Sequence, residues 1–145
     1  MLNVREGRMN NVYKHTVQYY ETDKMGITHH SNYIRWMEEA RVYFLAEMGW
    51  PFKKIEELGV VSPVTSIDCK YKLPTTFEDV VDIEASLVEC KSFKFVIEYI
   101  MKNAEGKVVF EGHSAHCFLD MEGNIVRVNK EYPELYQAFM NKMNE

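Results

Sequence analysis

The sequence carries only three cysteines, Cys69, Cys90 and Cys117, widely spaced and without a Cys-x-x-Cys pair. An odd number of scattered thiols makes no disulfide framework and points to reduced cysteines in a cytoplasmic protein. No apolar run approaches the ~18 residues that a bilayer crossing needs, so no membrane span is expected. The amino terminus, MLNVREGRMNNVYKHTV, lacks the apolar segment of a signal peptide. Positive charge is also short: 17 Lys and Arg stand against 22 Asp and Glu, a formal charge of −5. Nucleic-acid binders carry a basic stripe, so no nucleic-acid partner is expected, while local lysines can still gather a small anionic ligand. Neither a GxGxxG run nor a phosphate-binding loop is present, nor an internal repeat or low-complexity linker. What remains is globular: 145 residues, 46% hydrophobic and 27% charged. One domain over residues 1–145 fits that length, able to bury roughly 70% of its unfolded surface.

The first ten residues are polar and read as a loose end. From Val12 to Tyr20, Tyr13, His15, Val17 and Tyr19 alternate with Lys14, Thr16 and Gln18, which predicts a strand. After the loop ETDKMGITHH, with Gly26 as its flexible point, Ser31 stands where a helix cap belongs. Tyr33, Trp36, Met37, Ala40, Phe44 and Met48 then recur at three- and four-residue spacing, and Gly49 with Pro51 stops the helix. A short helix over 52–58 follows. The period then switches to two along 61–73, 81–87, 93–101, 107–119 and 125–128, and a last helix covers 131–143. Short turns between alternating strands define an antiparallel sheet with one buried face. Only the long helix is apolar enough to cover it. The predicted class is α+β, an antiparallel sheet wrapped around one long central helix.

Several motifs fail on geometry. His113 and His116 lie three apart in a predicted strand, so they face opposite ways, and no Cys or carboxylate cluster completes a metal site. Gly112-His113-Ser114-Ala115-His116 begins like a nucleophile elbow but lacks its second glycine and its strand–turn–helix setting. Lys91 and Lys94 flank Ser92 at a turn, which reads as a solubilising surface or, more sharply, as a phosphate contact.

The segment YETDKMGITHHSNY, residues 20–33, is different. It sets an acid, a glycine and two histidines before the start of the longest helix. Unpaired N–H groups at a helix start stabilise an oxyanion. A carboxylate beside them can attack a carbonyl or activate water. Asp23 would supply the carboxylate, and the backbone N–H of His30, at the junction, would polarise the carbonyl. The plain alternative for Asp23 is a turn residue.

TDKMGITHHSNYIRWMEEAR resembles the signature of the hotdog-fold thioesterases, the 4-hydroxybenzoyl-CoA and Tol-Pal-associated acyl-CoA thioesterase group. The residues that carry it are Asp23, Gly26, His30, Tyr33, Glu39 and Arg41. The likeness continues through CKYKLPTTFEDVVDIEASL and covers nearly the whole chain. It implies a hotdog fold and hydrolysis of acyl-CoA thioesters without metal or cofactor. Asp23 would be nucleophile or general base, His30 would orient thioester or water, and Gly26 and Tyr33 would line the substrate site. It further implies a homodimer or homotetramer with interfacial active sites, where Lys91, Ser92 and Lys94 are candidates for the CoA phosphates. The group's small residues after the aspartate are replaced here by Lys24 and Met25. An acyl-carrier-protein thioesterase and a non-catalytic acyl-CoA sensing module are the alternatives.

Overall fold

The computed structural model describes residues 12–144, so the loose end expected over the first ten residues lies outside them. Strand β1 (Val12–Thr16) is shorter than the alternation predicts. A 3₁₀ turn at Tyr19–Glu21 replaces its end, because the Glu21 carboxylate takes the Gln18 N–H at 2.8 Å and bends the chain. Tyr19 and Tyr20 consequently lie exposed rather than in the core. Helix α1 (Ser31–Glu47) follows, then a short α2 (Phe52–Glu57). Strands β2 (Val60–Val61) and β3 (Val64–Tyr71) form a single predicted strand, interrupted at Ser62-Pro63. Proline lacks the ladder N–H that a continuous strand would use there.

Strands β4 (Val80–Cys90), β5 (Lys94–Lys102) and β6 (Val108–Cys117) are the long antiparallel centre of the sheet. The order is β1-β4-β5-β6-β3, with β3 at one edge. Their buried residues alternate as the sequence requires: Val81, Ile83, Ala85 and Leu87 on β4, and Phe95, Ile97, Tyr99 and Met101 on β5. A small pair joins β2 to β7 (Leu119–Asp120). The strand expected over 125–128 is reduced to one bridge, Leu119 to Ile125. The Asp120 carboxylate collects the N–H groups of Glu122 and Asn124 into a tight turn, and the Val128 N–H is drawn away to the Ser92 carbonyl.

The expected last helix, 131–143, is α4 (Pro133–Met143), and a short α3 (Val128–Glu131) precedes it where the last strand was expected to end. Proline disfavours helical dihedrals in the residue before it, and Tyr132 sits at φ −139°, ψ 67°. Helix α1 covers the sheet with Tyr33, Trp36, Met37, Ala40, Phe44 and Leu45. It does not cover it alone. Helix α4 packs on β4, and its Phe139 meets Phe95 and Phe118 edge-on at 4.9 and 5.6 Å. Among the described residues, no helix is long and apolar enough to cross a membrane.

One polar chain threads this core. The Tyr99 hydroxyl meets Ser114 Oγ at 2.7 Å, Ser114 Oγ meets His116 Nε2 at 2.7 Å, and His116 Nδ1 faces the Ser62 carbonyl at 3.2 Å. A neutral imidazole satisfies every partner, with Nδ1–H donating to Ser62 and Nε2 accepting from Ser114. Ser114 is buried inside strand β6, not raised on an elbow. His113 faces the other way, toward Asp68 and Glu98 at 3.1 and 3.3 Å. Burial, reinforced by the charge of Arg41, pushes the His116 pKa down to about 4 against the pull of the Ser62 carbonyl.

The unfolded chain therefore takes up a proton near pH 6.5 that the folded chain refuses until about pH 4. Stability contributed by this group is lost as pH falls through that window, by about 2 kcal/mol between pH 7 and 5. Urea unfolding of the wild type and His116→Gln at both pH values checks this. The variant lacks that share of the pH slope, and an identical slope in both proteins overturns the assignment.

Candidate active site

The loop between β1 and α1 is closed on itself by backbone bonds. The His29 N–H donates to the Glu21 carbonyl at 2.8 Å, Thr22 bridges Thr28, and the Asp23 N–H donates to Ile27 O at 2.8 Å. Gly26 lies at φ +78°, left-handed backbone that side chains rarely adopt, and its N–H returns to the Asp23 carbonyl. Asp23 Oδ1 accepts the Met25 N–H at 2.8 Å. Asp23 is thus the turn residue of the plain reading. Its second carboxylate oxygen has no partner among the described residues, so the turn leaves one oxygen for chemistry.

Ser31 does not cap α1. It is the first helical residue, and the cap position falls to His30. The His29 ring does the capping work, with Nδ1 accepting the Ser31 N–H at 3.2 Å and meeting Ser31 Oγ at 2.8 Å. The Asn32 N–H goes to the His29 carbonyl. The His30 N–H has no acceptor among the described residues, which makes it the open donor at this helix start. The His30 carbonyl accepts the Tyr71 hydroxyl at 3.1 Å.

His30 and Tyr33 line a cavity of about 340 Å³ with Thr28, Tyr71, Lys72 and Pro74; Asp23 is not on its wall. Tyr33 is stacked on Phe110 at 5.2 Å, and its hydroxyl meets Thr75 Oγ1 at 3.0 Å. Thr28 Oγ1 completes that link at 2.6 Å from Thr75 Oγ1. Burial holds the Tyr33 phenol above its usual range, so it stays a neutral hydrogen-bonding group.

Beneath the loop lies a charged cluster that the alternation alone did not assign. Glu21, only 4% exposed, accepts from Gln18 N–H, Trp36 Nε1–H and the His15 Nε2 position, each at 2.8 Å. His15 Nδ1 reaches Glu39 Oε1 at 3.1 Å, and the Tyr13 hydroxyl donates to the same oxygen at 2.8 Å. Burial alone would raise the Glu21 carboxyl, but the Gln18, Trp36 and His15 donors outweigh it and hold the group below the usual carboxylate range. The signal in the sequence was His15 itself, a polar residue at an inward position of the predicted strand.

Lys91, Ser92 and Lys94 lie elsewhere. They form the β4–β5 turn, with the Lys91 N–H on the Lys94 carbonyl at 2.8 Å and Lys94 Nζ 3.6 Å from Glu89. Lys94 pairs with Cys117, whereas Tyr71, beside His30, pairs at the level of Phe110 and Met101. Seven strand positions separate the two levels, about 24 Å. One chain does not bring these lysines to Asp23.

An antiparallel sheet around a long helix, with an acid-bearing loop at the helix start, defines a hotdog domain. The sequence profile of the thioesterase-like superfamily matches residues 17–140. A Bacillus subtilis protein provisionally named acyl-CoA thioesterase YneP is 32% identical over 124 residues, covering 85% of this chain and 90% of that protein. The crystal structure of a hypothetical protein from Aquifex aeolicus is 38% identical with a TM-score of 0.79, over 86% of this chain and 98% of that one. A DHNA-CoA thioesterase from Staphylococcus aureus shares the fold at a TM-score of 0.85 and 24% identity, over 90% and 88% of the two chains. The chain belongs to the thioesterase-like superfamily.

Proposed function

We propose that this protein hydrolyses acyl-CoA thioesters, with Asp23 as nucleophile or general base and the His30 N–H as oxyanion donor. One observation carries the reading: Asp23, with a free carboxylate oxygen, and His30, with a free N–H, are held in one loop pinned at both ends. Negative charge that develops on the thioester oxygen finds a preorganised donor there. The acid either attacks the carbonyl to give a tetrahedral adduct, whose collapse breaks the C–S bond, releases the CoA thiolate and leaves an acyl-aspartyl anhydride that water then opens, or takes a proton from the attacking water. Family membership and the relative named for acyl-CoA support the substrate class. We place the reaction in the cytoplasm, in keeping with Cys69, Cys90 and Cys117 as free thiols.

The working unit in this reading is a homodimer or homotetramer with sites between subunits. Edge strand β3 leaves a ladder side open, and Val64, Tyr71 and Leu73 are exposed along it. The 24 Å between Lys94 and the His30 level is spanned if the lysines of a second copy face the loop of the first.

Thiol release from a panel of short, long and aromatic acyl-CoAs tests the function, with light scattering on the same preparation. Turnover by an oligomer is expected. A monomer overturns the interfacial site. Acyl-CoA binding without thiol release overturns hydrolysis in favour of a sensing module, a reading that Asp23's absence from the cavity wall favours.

A further inference from the structure

Among the described residues, two buried side-chain polar atoms lack a hydrogen-bond partner, and one is Nε of Arg41, a residue only 7% exposed. A guanidinium is always charged. The carboxylate nearest to it, Glu38, stands 3.9 Å from Nη2, beyond hydrogen-bond range, on a side chain that is 70% exposed. The Phe52 ring lies 6.0 Å from Cζ. The Tyr99 hydroxyl is a hydrogen-bonding neighbour of the guanidinium, and neutral His116 lies near it. A buried cation with no carboxylate in hydrogen-bond range is strongly unfavourable. Arg41 also lines an open cavity of about 340 Å³, together with Phe52, Ile55, Val60, Glu38 and Glu56.

We propose that this cavity binds a small carboxylate with a hydrocarbon or aromatic body, its carboxylate accepting from the Arg41 Nη–H groups on the side that faces Glu38. A planar fork of two donors matches a carboxylate. Phe52, Ile55 and Val60 supply an apolar wall for the body. Glu38 and Glu56 oppose the ligand, but both are exposed, so water and salt weaken their field. Arg41 acts from a buried, low-dielectric position, and its attraction prevails. The cavity shares no lining residue with the one at His30. Tyr33 and Arg41 are eight residues apart on α1, about 12 Å. The carboxylate belongs either to a free acid or to the far end of an acyl chain.

The test uses the whole protein and the free acids benzoate and adipate beside their neutral amides, read by calorimetry and by the Nε–H resonances of its five arginines. The acid is expected to bind at least ~10-fold tighter than its amide and to move the Arg41 resonance, and Arg41→Gln to abolish the difference. The resonance reads the wild type directly, so a poorly folding variant does not blunt the result. Equal binding of acid and amide, or an unmoved Arg41 signal, overturns the proposal. So does an Arg41 signal that changes on dilution alone, which assigns its partner to a second copy.

Suberyl-CoA against octanoyl-CoA separates the sources. A preference for the suberyl chain that Arg41→Gln removes places the carboxylate on the substrate; equal turnover with retained benzoate binding places it on a free acid. Binding by a protein that cleaves no thioester overturns the proposed hydrolysis and leaves this site standing.

Discussion

Replacing Asp23 by Asn lowers turnover of the preferred acyl-CoA by about 10²-fold or more while the fold is kept. The substitution is chosen for what it preserves. Asparagine retains an oxygen at the Oδ1 position, so the Met25 N–H keeps its acceptor and the turn keeps its shape. What is lost is the negative charge and the basic second oxygen, which both nucleophilic and general-base routes require. The loss should fall on kcat, since Asp23 does not line the His30 cavity. Near-wild-type thiol release removes Asp23 from the mechanism. His30→Ala should cost less, because the backbone donor survives and the imidazole has no hydrogen bond among the described residues. A loss equal to that of Asp23→Asn brings the imidazole into the chemistry. In a single turnover in H₂¹⁸O, label in the Asp23 carboxylate establishes the acyl-aspartate, with water opening the anhydride at the Asp23 carbon.

The sheet and long helix were legible because their periods are enforced by burial on one side. Trp36, Phe44, Ile83, Phe95 and Tyr99 are fully buried at the positions their spacing predicts. Ends of elements were less legible, because local features decide them: Glu21 turns the chain before β1 reaches Tyr20, and Pro133 sets the start of the last helix. In the site, the acid, glycine and histidine were readable as a loop before a helix. Asp23 combines turn and free oxygen, so the two readings of it were never exclusive. Tyr71, Thr75 and Lys72 were not singled out, since they join His30 and Tyr33 only through the fold. Arg41 is part of the family signature, and its position also fixes its burial. It stands four residues after Met37 and three before Phe44, so helical spacing alone places it on the buried face. The Lys91–Lys94 turn shows the opposite limit, because no pattern along one chain reveals what a second copy brings near.

Glu21→Gln should destabilise the protein by about 1–3 kcal/mol, the usual cost of leaving a buried donor without its acceptor. The amide puts a donor where the carboxylate had an acceptor, so either the Trp36 Nε1–H or the His15 Nε2 position loses its 2.8 Å partner. Urea unfolding at pH 7 reads this as a lower midpoint with an unchanged slope. The acid limb gives an independent check. Glu21 is held below the ordinary carboxylate range, so its contribution is present above the unfolded pKa and is lost as pH falls through the folded one. The variant should lack that part of the acid-induced loss. The effect reaches the site through the backbone, since the Glu21 carbonyl accepts both the His29 N–H and Asn32 Nδ2–H. Loosening Glu21 frees the loop that carries Asp23 and His30, so thiol release should fall in the folded fraction as well. A midpoint shift below about 1 kcal/mol, with turnover intact, would mean that the loop is held by its own backbone bonds and that the buried cluster is incidental to it.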